Sequence, residues 1–207
     1  MRIDPDAVVW SAPERERAGR PLLVLLHGYG SHEGDLFGLA PGLPLSPVIA
    51  SLRAPLRSGP GYAWFPLSGE TPLDEVGEIV DDSARAILEW LDSTESTSVG
   101  VLGFSQGGAM ALQLLRLAPA RFRYAVVLAG FVAGIAHPGD AALLTAKPPV
   151  FWGRGTIDDR IPRPAIEWTA QWLPSHSTLT SRIYEDLGHG ISNAELKDVN
   201  TFISGAL

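Results

Sequence analysis

The stretch TSVGVLGFSQGGAMALQLL, residues 97–115, constrains the fold of this chain more than any other. An apolar run leads to a serine that lies between Gly103 and Gly107, and a second run with helical spacing follows. A Gly-x-Ser-x-Gly sequence in this context predicts a sharp turn from a strand into a helix. Side chains at the two glycine positions would collide with the neighbouring backbone in such a turn. We therefore expect Ser105 to adopt a strained conformation, with its hydroxyl group held clear of the sheet.

Strand-like and helix-like segments alternate along the rest of the chain. Short apolar runs that end in Gly, Pro or a polar residue predict strands buried on both faces. These runs cover residues 21–28, 46–55, 97–105, 123–130 and 148–155, and a more regularly alternating run at 178–186 predicts a strand nearer the edge. Helical spacing of apolar residues predicts helices over 75–92, 106–117, 164–173 and 192–204. The alternation predicts one α/β domain over residues 1–207, with a mostly parallel central sheet and helices on both faces.

Charge and composition exclude several functional classes. Lys and Arg number 16 against 23 Asp and Glu, for a net charge of -7, which suits a nucleic-acid partner poorly. The absence of cysteine removes disulfides, thiolate nucleophiles and thiolate metal sites, and fits a reducing compartment. The N-terminal MRIDPDAVVW lacks the basic start and long apolar run of a signal peptide, and no run is long enough for a membrane span. We therefore expect a cytoplasmic protein.

A serine nucleophile needs a base, and the base needs a carboxylate that orients it. After a Gly-x-Ser-x-Gly turn, the carboxylate and then the histidine follow the serine in chain order. His189 lies between two glycines, after the last predicted strand and before the last predicted helix, and is the predicted base. His176 is predicted to be a solvated loop residue. Asp158 and Asp159 both follow the strand at 148–155, and Asp186 is a weaker third candidate for the carboxylate.

The loop after the first central strand, LLHGYGSHEGD, predicts part of an oxyanion hole. Its donors would be the backbone N–H groups of Tyr29 and Gln106, so their side chains are free to vary. His27 closes the strand and is expected to be buried and hydrogen-bonded rather than catalytic. His32 and Glu33 lack the further ligands that a metal site requires, so we expect neither a metal nor a cofactor.

With these motifs in place, the chain resembles the carboxylesterase/phospholipase family of α/β-hydrolases, which includes acyl-protein thioesterases. The motifs LLHGYG, RAPLRSGPGYAWFP, GFSQGGAMAL, GRGTIDDRIP and GHGIS follow the family order over nearly the whole length. The family pattern G-x-x-D-x-x-[VI]-P falls on residues 155–162 and so selects Asp158 over Asp159. The resemblance implies the α/β-hydrolase fold, and the connection from Gly130 to Pro148 is too short for a separate lid domain.

The resemblance also suggests where a substrate would bind. Trp64, Phe65 and Phe131 are interpreted as walls of an acyl or alcohol pocket, because Trp64 lies in a Gly/Pro-rich loop and Phe131 follows a strand end. The chain has Arg154 before Gly155 where the family usually has His, and Pro66 after Trp-Phe where the family usually has Asp. Both differences concern substrate specificity. An open cleft without a lid suits short or medium acyl groups.

The sequence therefore predicts a serine hydrolase that cleaves carboxylic esters or thioesters through Ser105, His189 and Asp158 and an acyl-enzyme. The expected partner is a small-molecule ester or thioester substrate, with no nucleic acid and no membrane span, while a homodimer is compatible with the sequence. Two alternatives stay open. One is an amidase or peptidase on the same fold, and the other is a non-catalytic ligand-binding α/β-hydrolase.

Overall fold

A seven-stranded sheet with strand order β1-β3-β2-β6-β7-β8-β9 forms the centre of this computed structural model, which describes residues 1–67, 73–134 and 136–207. The strands are β1 (Val9–Trp10), β2 (Arg20–Leu26), β3 (Val48–Leu52), β4 (Leu56–Ser58), β5 (Gly61–Ala63), β6 (Ser96–Phe104), β7 (Tyr124–Leu128), β8 (Pro149–Gly155) and β9 (Thr178–Tyr184). The helices are α1 (Glu33–Phe37), α2 (Leu73–Asp92), α3 (Gln106–Leu117), α4 (Asp140–Ala146), α5 (Arg163–His176) and α6 (Asn193–Ala206). Strands β4 and β5 form a separate antiparallel hairpin.

All strand pairs of the main sheet are parallel except β1 with β3. The predicted α/β-hydrolase architecture is confirmed, and the six predicted strands are present with ends shifted by a few residues. Strand β9 lies at the edge, as its alternating sequence predicted. The connection from Gly130 to Pro148, described except at residue 135, contains the short helix α4 and no lid-sized insertion in its described part.

The sheet separates two hydrophobic clusters, and this explains the continuous apolar runs. In β2, Leu22, Val24 and Leu26 contact one cluster, while Leu23 and Leu25 contact the other. Helices α2, α3 and α5 contribute to the first cluster, and α1 and α6 contribute to the second. A strand covered on both faces is apolar at nearly every position, so its sequence does not alternate. None of the helices in the described ranges has the length and apolar character to cross a membrane.

Helix α5 corrects one predicted boundary, since it continues through Pro174 to His176 instead of ending before the proline. Trp172 and Leu173 are buried in the first cluster and hold this last turn against the core. The side chain hydroxyl groups of Ser175 and Ser177 donate to the carbonyl groups of Trp172 and Leu173 at 3.1 and 2.7 Å. Tertiary packing and these side chain bonds therefore offset the amide hydrogen that proline lacks.

Helix α6 begins where the sequence predicted. The Ser192 hydroxyl oxygen accepts the Glu195 N–H at 3.1 Å, which is the serine half of a capping box. The Glu195 side chain is fully buried, and a Cβ atom placed on Gly153 would come within 2.1 Å of its Oε1. The first turn of α6 is thus fitted closely to β8. Because parallel strands end at one edge, the loops after β2, β6, β7, β8 and β9 meet there and form the site.

Candidate active site

The turn between β6 and α3 forces Ser105 into an unusual backbone conformation, with φ 55 and ψ -116. A Cβ atom on Gly103 would lie 2.0 Å from the carbonyl oxygen of Gly107, and one on Gly107 would lie 1.9 Å from that of Leu26. Both positions therefore accept only glycine. The strain that the sequence predicted at Ser105 is confirmed. Such a conformation costs about 1–3 kcal/mol and persists only where the surrounding structure imposes it.

Ser105, His189 and Asp158 form a continuous hydrogen-bonded chain. His189 Nε2 lies 3.0 Å from Ser105 Oγ, and His189 Nδ1 lies 2.8 Å from Asp158 Oδ2. The Asp158 side chain is only 2% exposed, and its Oδ1 also accepts the backbone N–H groups of Arg160 and Ile161 at 2.9 and 3.3 Å. Because a carboxylate accepts at Nδ1, the histidine proton belongs there, and Nε2 is left to accept a proton from the serine hydroxyl.

The other candidates for these positions lie elsewhere. The Asp159 side chain is 88% exposed. Asp186 is exposed, and its N–H donates to Thr156 Oγ1 at 2.9 Å. His176 stacks on Trp172 with ring centroids 4.2 Å apart. The structure therefore brings Asp158, rather than its two competitors, to His189.

Two backbone N–H groups lie beside the serine. Gln106 is the first residue of α3, so its N–H has no acceptor within the helix and lies at the positive end of the helix dipole. The loop after β2 passes next to the nucleophile, since a Cβ atom on Gly28 would lie 3.5 Å from Ser105 Cβ. Across the described residues, no backbone or side chain acceptor is found for the N–H of Tyr29. Both groups are thus available to a ligand oxygen.

His27 braces this loop from inside the protein. Its imidazole is fully buried, and Nε2 accepts the Ala54 N–H at 3.1 Å. The proton must then lie on Nδ1, which donates to the Gly28 carbonyl oxygen at 2.8 Å. Burial lowers the pKa of His27 and favours this neutral form. The expectation of a buried, hydrogen-bonded histidine is confirmed.

His32 and Glu33 have structural partners. His32 Nδ1 accepts the N–H of Gly34 at 3.1 Å and caps α1. Glu33 pairs with Arg53, which lowers the pKa of the Glu33 carboxyl group. In the part of the chain that the structure describes, no group of three or more His, Asp or Glu side chains is placed to hold a metal ion.

A cavity of about 740 Å³ opens above Ser105 and His189. The loop after β2 and the start of α1 provide one side of it, with Tyr29, Ser31 and Asp35. The loops after β7 and β8 and the start of α5 provide the other side, which is mostly apolar. The residues on that second side are Phe131, Arg160, Ile161, Pro162 and Ala165. The sheet order explains this division, because β2 and β7 lie on opposite sides of β6.

The interpretation of Trp64 and Phe65 as pocket walls is wrong. Trp64 is fully buried and Phe65 is 3% exposed, and both belong to the first hydrophobic cluster. The residues after β5 turn inward because the Trp64 indole N–H donates to the His27 carbonyl oxygen at 2.8 Å. Phe131 does line the cavity. Sequence reasoning missed Leu67, Ile161 and Pro162 as lining residues, although the last two follow Asp158 closely in the same loop.

Comparisons with known proteins identify the family of this chain. Residues 7–207 match the family model described as Phospholipase/Carboxylesterase. Carboxylesterase SOBER1 from Arabidopsis thaliana is 31% identical over 214 residues, which cover 91% of each chain. Acyl-protein thioesterase 1 from Eremothecium gossypii is 25% identical, over 93% of this chain and 91% of that protein.

Solved structures show the same fold. The Bacillus cereus carboxylesterase superposes with a TM-score of 0.79 at 20% identity, covering 97% of this chain and 94% of that one. Acyl-protein thioesterase 2 from Zea mays superposes with a TM-score of 0.77 at 23% identity, covering 96% and 98%. With the family match spanning nearly the entire chain, this protein belongs to the phospholipase/carboxylesterase family and is a hydrolase of that type.

Proposed function

We propose that this protein hydrolyses carboxylic esters or thioesters with short to medium acyl chains, through an acyl-enzyme formed on Ser105. The observation that carries the proposal is the hydrogen-bonded chain from Asp158 through His189 to Ser105 at the floor of the cavity. The names of the relatives, a carboxylesterase and an acyl-protein thioesterase, support the choice of ester and thioester substrates.

In the first half of the reaction, Ser105 Oγ attacks the carbonyl carbon while His189 Nε2 takes the hydroxyl proton. Asp158 holds the imidazole in position and stabilises its positive charge. The carbonyl oxygen becomes an oxyanion, which accepts hydrogen bonds from the N–H groups of Tyr29 and Gln106. When the tetrahedral intermediate collapses, His189 returns the proton to the leaving alkoxide or thiolate.

In the second half, a water molecule attacks the acyl-enzyme carbonyl carbon. His189 Nε2 accepts a proton from this water, and the same two N–H groups bind the second oxyanion. Collapse releases the carboxylic acid, and His189 returns the proton to Ser105 Oγ. Every proton transfer uses one imidazole nitrogen, which is already 3.0 Å from the serine oxygen.

The cavity supports the proposed range of chain lengths. Its apolar side offers Phe131, Ile161 and Pro162 to the hydrocarbon part of a substrate. The cavity volume of about 740 Å³ is within the usual range for small-molecule sites. An acyl chain of a few carbons would be covered there, whereas a long lipid chain would extend beyond the lining residues.

The experiment that tests this proposal combines active-site labelling with a substrate series. A fluorophosphonate probe should label the wild-type protein at Ser105 and leave the Ser105→Ala variant unlabelled. p-Nitrophenyl esters and acyl thioesters of two to twelve carbons should be hydrolysed, with the highest kcat/KM at short or medium length.

The alternatives predict other results. Hydrolysis of a matched anilide as fast as the ester would favour an amidase or peptidase. Failure of the probe to label the folded wild-type protein, together with ligand binding but no turnover, would favour a non-catalytic binding protein.

A further inference from the structure

The two backbone N–H groups beside Ser105 come from segments far apart in the chain, and a third, largely buried segment is hydrogen-bonded to both of these segments. This bridging segment consists of residues 62–65, which are the end of β5 and the two residues after it. We propose that Trp64, in the bridging segment, and the side chain of Gln106 are positioning residues that fix the distance between the two N–H groups before substrate arrives. The inference rests on the proposed function, because it assigns these groups to the oxyanion.

The bridging segment is bound to the loop after β2 by three hydrogen bonds. The Trp64 indole N–H donates to the His27 carbonyl oxygen at 2.8 Å. The backbone N–H of Gly30 donates to the Tyr62 carbonyl oxygen, and the N–H of Tyr62 donates to the Ser31 carbonyl oxygen, both at 2.8 Å. The peptide that carries the Tyr29 N–H lies between these contacts, and its own carbonyl group is held by the His27 imidazole. Since a trans peptide is planar, fixing its carbonyl group also fixes the direction of its N–H.

The bridging segment is bound to α3 through the Gln106 side chain. Gln106 Oε1 accepts the Trp64 backbone N–H at 2.8 Å, and Gln106 Nε2 donates to the Phe65 carbonyl oxygen at 2.6 Å. Gln106 is only 1% exposed, so these two hydrogen bonds are shielded from the solvent. The residue that would supply one oxyanion donor through its backbone is thus linked, through its side chain and the bridging segment, to the loop that carries the other donor.

The bridging segment is itself anchored to α2. The Ser83 hydroxyl group donates to the Trp64 carbonyl oxygen at 2.5 Å, so the backbone N–H and C=O of Trp64 are both bonded. Oxyanion donors act through their placement, because the reaction gains most when they need no rearrangement in the transition state. Two tethers therefore hold the donors in place: the Trp64 indole hydrogen bond and the pair of Gln106 side chain hydrogen bonds. Loss of either tether should weaken binding of the transition state and leave binding of the neutral substrate almost unchanged.

Trp64→Phe and Gln106→Met test the inference, since each removes the tether and keeps a side chain of similar shape. Trp152→Phe is the matched control. The Trp152 indole N–H also donates to a backbone carbonyl oxygen, that of Gly130, at 3.1 Å. Trp152 is buried to a similar degree as Trp64. The loop after β7, which contains Gly130, supplies neither of the two proposed oxyanion donors. The measurements are kcat and KM for a p-nitrophenyl ester, and the inhibition constant of a trifluoromethyl ketone that forms a tetrahedral oxyanion with Ser105.

We expect kcat to fall about 10- to 100-fold in Trp64→Phe and in Gln106→Met, because removing one oxyanion donor outright costs roughly 10²- to 10³-fold. KM should change by less than about threefold, and the trifluoromethyl ketone should bind more weakly by the same factor as the loss in kcat. Trp152→Phe should keep kcat within about twofold of the wild type at a comparable loss of stability. Should Trp64→Phe fail to fold, Gln106→Met decides the question alone.

The inference is overturned if kcat stays within twofold of the wild type in the folded tether variants, or if Trp152→Phe loses as much kcat as they do. It is also overturned if the loss appears in KM and not in inhibitor binding. Failure of the proposed function looks different, since the wild-type protein would then show no ester turnover or keep its turnover in Ser105→Ala.

Discussion

At the scale of single residues, Ser105 combines backbone strain with a free nucleophilic oxygen. Its positive φ projects the hydroxyl group out of the sheet toward His189, and the two flanking glycines allow the sharp turn. A more relaxed serine would direct its oxygen back into the strand-to-helix turn. The proposed chemistry thus requires this strained conformation. An inactive variant that relieves the strain should gain stability.

Ser105→Gly should be more stable than Ser105→Ala by about 1 kcal/mol, while neither variant hydrolyses esters. Alanine keeps the Cβ atom that is strained at this φ, whereas glycine removes about 1–3 kcal/mol of strain and loses part of this gain to its freer unfolded chain. Urea unfolding of both variants measures the difference. A glycine variant less stable than the alanine variant would mean that Ser105 is not strained.

Asp158→Asn should lower kcat/KM by about 10³- to 10⁴-fold, because an amide cannot favour the same tautomer and charge on His189. Asp159→Asn, one residue away and exposed, should leave kcat/KM within about twofold. Steady-state kinetics with one neutral ester measures both. Equal losses in the two variants would assign the effect to the loop as a whole and not to the hydrogen bond at His189 Nδ1.

At the scale of secondary-structure elements, the contact between α6 and β8 contains a buried acid. Glu195 lies in the first turn of α6, and both of its carboxyl oxygens are buried without a hydrogen-bond partner among the described residues. Burial, the largest cause, raises the pKa of this group from 4.5 to about 7. The loop that carries His189 leads directly into this helix, so the stability of the contact bears on the site.

Stability should fall as pH rises from about 5 to 8, and Glu195→Gln should reduce that fall. Between pH 4.5 and about 7 the folded state binds more protons at Glu195 than the unfolded state, so the free energy of unfolding decreases with rising pH. The loss attributable to this group is on the order of 3 kcal/mol, and it is complete above the folded pKa.

Urea unfolding at pH 5 and pH 8 measures the effect, with Glu89→Gln as the control because Glu89 is exposed on α2. Between pH 5 and pH 8, Glu89→Gln should lose as much free energy of unfolding as the wild type. Glu195→Gln should lose less. If all three proteins lose stability in parallel, Glu195 titrates normally in the folded state.

Some secondary-structure elements were predictable from the sequence and others were not. Strands buried on both faces were predictable because they contain nearly continuous apolar runs, and α6 because its first turn carries a serine cap. Strand β1, the β4–β5 hairpin, α1 and α4 are too short for a periodic pattern. Trp64 was misplaced because a Gly/Pro-rich loop normally indicates a surface, whereas a buried indole bond to the His27 carbonyl draws this one into the core. Chain order and the glycine turn predicted Ser105 and His189, but they left the carboxylate open, and only the family resemblance selected Asp158 over Asp159.

At the scale of the whole molecule, the order of strands decides the shape of the cavity. Strand β6 lies between β2 and β7, so the nucleophile stands between a more polar wall and an apolar wall. Of the apolar wall, Phe131 was predicted from the sequence, whereas Ile161 and Pro162 were not, since this wall collects residues from separate loops. An ester bound over Ser105 would place its two ends toward different walls, and the apolar wall would set the dependence on chain length.

Phe131→Ala should move the preferred ester to a longer chain by a few carbons. Each methylene group that reaches apolar surface contributes about 0.8 kcal/mol, or roughly a fourfold gain in kcat/KM, until the cavity is filled. Removing the Phe131 ring extends the cavity on its apolar side. The plateau, which is the chain length at which kcat/KM stops rising, should therefore move to longer chains. p-Nitrophenyl esters of increasing length measure the profile. Phe202→Ala is the control, because Phe202 packs against the cluster on the opposite side of the sheet and should lower stability without moving the plateau. A profile that keeps its shape in Phe131→Ala would mean that the hydrocarbon chain lies against the other wall, beside Tyr29 and Ser31.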